Sequence, residues 1–320
     1  MISIYWTAST EILLLKKKNI IMTEKIILIT GVSSGLGRAF AEAALAEGHI
    51  VIGTVRNDDA RKEFETIEPK RAKSLILDVT DFGTIDPSIS KIEQEIGPVD
   101  VLVNNAGYGH EGILEEASLA DLRRQFDVNV FGAVALMKAV LPTMRKRRSG
   151  HIINITSMGG YITMPGIAYY CGSKFALEGI SETLAKEVKG FGIHVTAVAP
   201  GSFRTDWAGR SMVRSGRSIA DYDSVFDPIR KAREEKSGHQ AGDPIKAAKV
   251  LLRLLATENP PVHLLLGSDA LRLVREKIDW LAGEITAWEN ATLSTDFGSH
   301  SAEGSAVFCR GFAAGNKEEK

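Results

Sequence analysis

From Lys25 onward, seven apolar runs of strand length alternate with longer stretches of helical period, and no other feature narrows the possible folds so far. The runs are Ile26 to Ile29, His49 to Val55, Ser74 to Leu77, Val101 to Val103, His151 to Ile155, His194 to Ala199 and Val262 to Leu266. Continuous apolar strands are buried on both faces, and a crossover of roughly a dozen residues or more is needed to return a chain to a parallel neighbour. The intervening stretches meet that length. In Gly35 to Glu47, Leu36, Phe40, Ala43 and Ala44 recur on one helical face, and Leu119 to Arg145 carries a continuous apolar stripe. The pattern predicts an α/β, doubly wound, seven-stranded parallel sheet.

Neither an internal repeat nor a break in composition separates Met22 from Glu289, so residues 22–289 read as a single domain. Within it, residues 203–240 interrupt the rhythm with many charges and little periodicity, which suits a lid over a site better than a core element. Residues 290–320 turn to Gly, Ser, Ala and charge and are expected to be a disordered tail. At the other end, Ile12 to Leu15 precede Lys16, Lys17 and Lys18, the reverse of the order in a secretory signal. Residues 1–21 are therefore expected to be a loose extension, or an upstream artefact if Met22 is the initiator.

Charge and cysteine content remove several function classes. Thirty-nine basic and forty acidic residues leave a net charge of -1, so no electrostatic footprint for nucleic acid or an anionic membrane is expected. Cys171 and Cys309 are the only cysteines and lack the paired spacing of a metal knuckle or a disulfide framework. No metal site is expected, and a reducing, cytoplasmic compartment is the natural setting.

The chemistry is concentrated in two motifs. Directly after the first strand stands Thr30-Gly31-Val32-Ser33-Ser34-Gly35-Leu36-Gly37, followed by a helical run. Glycines at that junction allow a tight turn and close approach of backbone to a pyrophosphate, while the helix N-terminus offers N–H groups and a favourable dipole. No Lys-Ser or Lys-Thr pair follows, which excludes a P-loop nucleotidase. The second motif is Tyr170-Cys171-Gly172-Ser173-Lys174, whose Tyr and Lys share one helical face. A cation there is expected to lower the phenol's pKa from about 10 and make it a general acid or base.

The loop's T-G-x-x-x-G-x-G spacing, Asn104-Asn105-Ala106-Gly107 after the fourth strand, Pro200-Gly201 with Thr205 after the sixth, and the Tyr-x-x-x-Lys pair together resemble the short-chain dehydrogenase/reductase family, which has a Rossmann-type fold. The resemblance covers residues 22–289 and leaves both extensions unexplained. It implies that Ser157, thirteen residues before Tyr170, and Asn129, forty-one before it, complete a catalytic set with Tyr170 and Lys174. Tyr170 would exchange the proton, Lys174 would lower the phenol's pKa and hold the nicotinamide ribose, Ser157 would bind the substrate oxygen, and Asn129 would position a water joining Lys174 to solvent. Cofactor contacts would come from Thr30, Gly31, Ser33, Ser34, Gly35, Leu36, Gly37, Asp78 at the adenine, Val79, Asn105, Ala106, Gly107, Pro200, Gly201 and Thr205.

The expected activity is hydride transfer between a nicotinamide and a small-molecule ketone or secondary alcohol, with a catalytically silent dinucleotide sensor as the alternative. For the cofactor, Asp58 lies near the distance at which an acid would hold the ribose of NAD(H), whereas Arg56 stands nearer the tip of the second strand. Arg56, with Arg38 adding to the field, favours NADP(H), and NAD(H) stays open. Met158, Tyr161, Met164 and Trp207 would form a mostly apolar substrate pocket that also draws on Tyr108 to Gly112. Tyr169 and Cys171 are expected to pack, and His110 to be a solvated loop residue. The long helices Leu119 to Arg145 and Ala168 to Val188 correspond to those that pair in many relatives, which implies a homodimer or homotetramer.

Overall fold

The computed structural model describes residues 24–205, 209 and 211–297. Nine strands occur among them: β1 (Ile26–Ile29), β2 (Ile50–Val55), β3 (Ala72–Ile76), β4 (Val101–Asn104), β5 (Gly109–Glu111), β6 (Gly150–Ile155), β7 (Ile193–Pro200), β8 (Met212–Arg214) and β9 (His263–Leu266). Seven of them form a parallel sheet in the order β3-β2-β1-β4-β6-β7-β9, and these are the seven runs predicted from sequence. The remaining two, β5 and β8, pair in parallel as a small second sheet that the periodicity did not reveal.

The main sheet is buried on both faces because each strand sends alternate residues to opposite layers. In β1, Ile27 and Ile29 join the layer formed by α1 (Gly35–Ala46) and α8 (Pro244–Leu255), where Phe40, Ala44, Leu251 and Leu254 are buried. Leu28 points the other way, into the layer of α3 (Phe82–Glu95), α5 (Gly132–Arg147) and α6 (Ala168–Val188), with Ile89, Leu136, Val140 and Met144. Each such side chain contributes roughly 1.5–3 kcal/mol by leaving water. The short α2 (Asp58–Glu65) follows β2, and Asn57 caps it by accepting the Ala60 N–H.

The helical run Leu119–Arg147 is long and apolar enough to cross a membrane by composition, but its buried residues face the core of this domain. It divides into α4 (Leu119–Phe126), a π-helical turn at Asp127–Phe131, and α5. The charged segment 203–240 contains a helix, α7 (Asp223–Glu235), that was not expected. Its Phe226 is fully buried against Gly166, where even a methyl group would collide with the ring. Periodicity missed α7 because Arg230 and Arg233 share that inward side of the helix with Phe226 and Ile229, and their partner Glu111 lies in β5.

The chain divides into two compact units that part between Val274 and Arg275, inside α9 (Ser268–Ala287), ahead of the sequence-drawn limit at 289. The second unit holds the rest of α9 and the short helix α10 (Glu289–Leu293), so helix stands where the tail was expected to begin. The extension 1–21 and the end of the tail lie outside the described residues.

One buried histidine makes the fold sensitive to acid. His151 in β6 donates to or accepts from Thr196 Oγ1 at 3.0 Å, and burial, with His194 adding to it, pushes its pKa down to about 3. An unfolded histidine titrates near 6.5, so below that pH the unfolded chain takes up a proton that the folded chain refuses. This contribution to stability is complete above pH 6.5 and is lost at about 1.4 kcal/mol per unit as pH falls towards 3. Urea unfolding at pH 7 and pH 5 should differ by about 2 kcal/mol from this group. In His151→Gln most of that difference should vanish, and an undiminished pH dependence would contradict the assignment.

Candidate active site

Strand order reverses between β1 and β4, whose neighbours lie on opposite sides, and a crevice opens there at the carboxyl ends of the strands. It is a cavity of about 1070 Å³. Its walls include Gly31, Ser33, Ser34, Gly35, Leu36, Arg56, Asp78, Val79, Asn105, Ala106, Gly107, Pro200, Gly201 and Thr205, all expected at a cofactor, together with Ser157, Tyr170 and Lys174. Thr30, Gly37 and Asn129 do not line it.

The glycine loop is fastened to the end of β4 by four hydrogen bonds. Thr30 Oγ1 accepts the N–H groups of Asn105 (2.9 Å) and Ala106 (2.8 Å), and Asn105 Nδ2 donates to the carbonyls of Thr30 (2.8 Å) and Gly31 (3.0 Å). Gly31 and Gly35 take φ of 73° and 64°, the left-handed region that glycine occupies without penalty. At Gly37 a methyl group would stand 2.3 Å from both Asn105 Nδ2 and the Gly31 carbonyl, so no side chain fits. Ser34, at the N-cap of α1, makes no side-chain cap bond, and the first turn of α1 faces the cavity. An uncapped helix N-terminus beside a glycine-rich loop fits the pyrophosphate of a dinucleotide.

At the rim, Arg56 is exposed and makes no hydrogen bond or ion pair among the described residues. The other two residues weighed for cofactor choice are engaged elsewhere. Asp58 pairs with Arg61 at 2.8 Å in the first turn of α2, and Arg38 pairs with Glu42 (2.6 Å) and Glu63 (3.1 Å), off the cavity wall. Arg38 therefore does not add to the field at Arg56 as expected. Asp78 Oδ1 accepts the backbone N–H and hydroxyl of Thr80, which hold its carboxyl below the usual range.

Four polar residues from three elements meet at the inner end. Ser157 follows β6, and its Oγ accepts the Gly159 N–H at 3.0 Å and hydrogen-bonds the Tyr170 phenol. Tyr170 and Lys174 lie one turn apart on α6, both buried. Lys174 Nζ donates to the Ile155 carbonyl at 2.8 Å and lies 5.9 Å from the Tyr170 ring centroid. Asn129 sits in the π-helical turn, where Oδ1 accepts the Tyr108 N–H and Nδ2 donates to the Tyr108 carbonyl and Ser173 Oγ, each at 3.1 Å. Gly107 leaves open the space between Asn129 Oδ1 and Lys174 Nζ, since an added Cβ would lie 3.1 Å from one and 3.7 Å from the other.

Burial governs the two titrating groups. It pushes Tyr170 up to about 12, with Ser157 opposing, and pushes Lys174 down to about 8, with Glu178 opposing. The lowered phenol pKa expected from sequence is therefore absent here, because removal from water disfavours the phenolate and the Ile155 carbonyl engages the ammonium.

Beyond Tyr170 the cavity is lined by Met158, Met164, Ile167, Val213 and Ile229, with Arg233 and Lys236 at the α7 side. The α7 residues were not foreseen, for the reason that hid the helix itself. Tyr161 does not join them, since its hydroxyl donates to Glu178 at 2.9 Å, away from the cavity. Trp207 lies outside the described residues. His110 is buried rather than solvated, stacked 5.2 Å from Tyr169, and burial lowers its pKa. Tyr169 and Cys171 pack as expected.

The family model described as short chain dehydrogenase matches residues 25–213. A 3-ketodihydrosphingosine reductase of Bacteroides thetaiotaomicron is 39% identical over 263 residues, covering 81% of this chain and 94% of that protein. An NADPH-dependent 3-dehydrocapnine reductase of Ornithobacterium rhinotracheale is 34% identical over 217 residues, 65% of this chain and 76% of that one. The crystal structure of a short-chain dehydrogenase from Streptomyces avermitilis superposes with a TM-score of 0.80 at 42% identity, covering 86% of this chain and all of that one. On this match, this fold and this cavity, the chain belongs to the short-chain dehydrogenases and transfers a hydride between NAD(P)(H) and a carbonyl or alcohol carbon.

Proposed function

We propose that the protein is an NADPH-dependent reductase of hydrophobic ketones, with Tyr170 as the proton donor. The observation that carries this reading is the meeting of Ser157, Tyr170 and Lys174 on the wall of the same cavity that the glycine loop lines. When bound, the dinucleotide supplies the hydride, and the protein's own groups manage the oxygen that receives it. Ser157 offers its hydroxyl to the substrate oxygen. Tyr170 delivers a proton to that oxygen as negative charge develops there, and Lys174 stabilises the phenolate left behind. Asn129, held by the Tyr108 backbone, flanks the space beside Lys174.

The protonation state is compatible with reduction. A phenol whose pKa stands at about 12 enters the cycle carrying its proton, which is the form needed for reduction. The names of the two curated relatives are those of reductases as well, one of a 3-keto and one of a 3-dehydro compound. The apolar wall of Met158, Met164, Ile167, Val213 and Ile229 suits an aliphatic or alicyclic substituent.

Preference for NADPH rests on Arg56, which makes no ion pair among the described residues at the rim, while Asp58 pairs with Arg61. A guanidinium there can form charge-assisted bonds to a 2'-phosphate, and one relative is named as NADPH-dependent. A homodimer or homotetramer is also part of this reading, since Leu119, Phe131 and Phe175 are exposed on α4, the π-helical turn and α6.

Tyr170→Phe should retain cofactor affinity in a fluorescence titration yet lower kcat by about 10²–10⁴-fold. Near-normal turnover would remove Tyr170 from the mechanism. For the cofactor, Arg56→Ala should lower kcat/KM with NADPH by roughly 10-fold or more and leave NADH unchanged. A wild-type preference for NADH, or an NADPH preference that survives the substitution, would show that Arg56 is not the discriminator.

A further inference from the structure

Glu178 is a buried carboxylate for which the mechanism above has no use. It stands four residues beyond Lys174 on α6, as Lys174 stands four beyond Tyr170, so the three side chains follow one another along one face of the helix. All three are less than a tenth exposed. A carboxylate in that position is costly unless it is fully satisfied.

It is satisfied from three directions. Oε1 accepts from Thr156 Oγ1 at 2.5 Å, and Thr156 immediately precedes Ser157. Oε2 accepts from the Tyr161 hydroxyl at 2.9 Å and faces His263 Nδ1, in β9, at 3.0 Å. The Tyr161 oxygen and His263 Nδ1 are 2.8 Å apart, closing a triangle that is satisfied when Nδ1 carries a proton. His263 is itself 38% exposed at its side chain, and its Nε2 lies 3.7 Å from Glu182 on the outer turn of α6. The network thus runs from the turn behind Ser157 to the protein surface.

The packing shows why the chain can approach so closely. A Cβ at Gly160 would stand 2.9 Å from Glu178 Cγ and 3.0 Å from the Lys174 carbonyl, so the turn after Ser157 lies directly on the Lys174–Glu178 turn of α6. Around Glu178 the ionisable groups are Lys174 and Glu182 from α6, Tyr161 from the turn after β6, and His263 from β9. Among the described residues no second acid acts on Lys174, and its ammonium donates to the neutral Ile155 carbonyl.

We propose that Glu178 is a positioning residue whose carboxylate, locked by Thr156, Tyr161 and His263, keeps the buried Lys174 in its charged form beneath the Tyr170 phenol. The inference rests on the roles given above to Tyr170 and Lys174. Without the carboxylate, burial alone would act on the ammonium, and the cation that stabilises the phenolate would be lost at lower pH.

Titration of Lys174 by NMR in the cofactor-free protein, labelled with ε-¹³C-lysine and assigned with Lys174→Met, reads this directly. The wild-type midpoint is expected near pH 8. Glu178→Gln should lower it by about one unit or more. Glu178→Asp, which draws the charge back by one methylene, should lower it by a smaller step and carries the test if the amide variant does not fold. His263→Gln, which keeps the carboxylate, should leave the midpoint at the wild-type pH. A midpoint unmoved or raised in either Glu178 variant overturns the proposal. So does a His263→Gln shift as large as that of Glu178→Gln, which would assign the effect to the integrity of the network rather than to the charge. The alkaline limb of kcat for ketone reduction should move with the Lys174 midpoint. If the midpoint falls and the limb stays, Glu178 acts on Lys174 as proposed and the assignment of Lys174 to stabilising the Tyr170 phenolate is what fails.

Discussion

The site depends on one physical constraint, the locking of the glycine loop after β1 to the end of β4 through Thr30 and Asn105. Two adjacent parallel strands whose neighbours lie on opposite sides leave their carboxyl ends facing an open crevice. Backbone N–H and C=O groups at such an edge have lost their sheet partners and would be costly if left unpaired. Thr30 Oγ1 and Asn105 Nδ2 supply those partners, taking up two N–H groups and two carbonyls between them. Once the loop is fixed in this way, Gly37 has no room for a side chain and α1 must start with its N-terminus towards the cavity. Gly107, two residues beyond Asn105, is held where its missing side chain leaves the space between Asn129 and Lys174.

Burial does the electrostatic work at the reacting end. The same removal from water raises the phenol of Tyr170 and lowers the ammonium of Lys174, so their proton affinities, nearly equal in solvent, are driven apart. Opposite shifts of neighbouring groups are a mark of acid–base sites. The outer wall is held by charge instead. Glu111, buried in β5, receives Arg214, Arg230 and Arg233, while Glu116 accepts Arg217 and the N–H groups of Ser218 and Ile219. Two carboxylates that follow the Asn104 to Gly107 turn therefore fasten the segment that closes the substrate side.

What could be read from the sequence divides along the same physical line. The seven strands were legible because burial on both faces writes itself as continuous apolar runs, and Tyr170 with Lys174 because a four-residue interval on a helix fixes a shared face. The helix α7 was hidden, since Arg230 and Arg233 on its inward side are neutralised by a partner more than a hundred residues away. His110 was read as solvated because nothing local announces that β8 will pair with β5 and that Tyr169 will stack on its ring. Tyr161 was placed in the pocket because an apolar neighbourhood in sequence does not reveal a buried acid such as Glu178 behind it. The π-helical turn that sets Asn129 likewise has no signature in an otherwise continuous helical pattern.

The account makes hydride transfer at this cavity its central claim, and isotope transfer tests it most directly. NADPH carrying deuterium at the transferable C4 position would be consumed with an aliphatic ketone that the enzyme accepts, and the alcohol analysed by mass spectrometry. The expected product carries one deuterium on the carbinol carbon and none elsewhere. An alcohol without label, or no consumption of either NADPH or NADH with any ketone of a hydrophobic panel, would contradict the account.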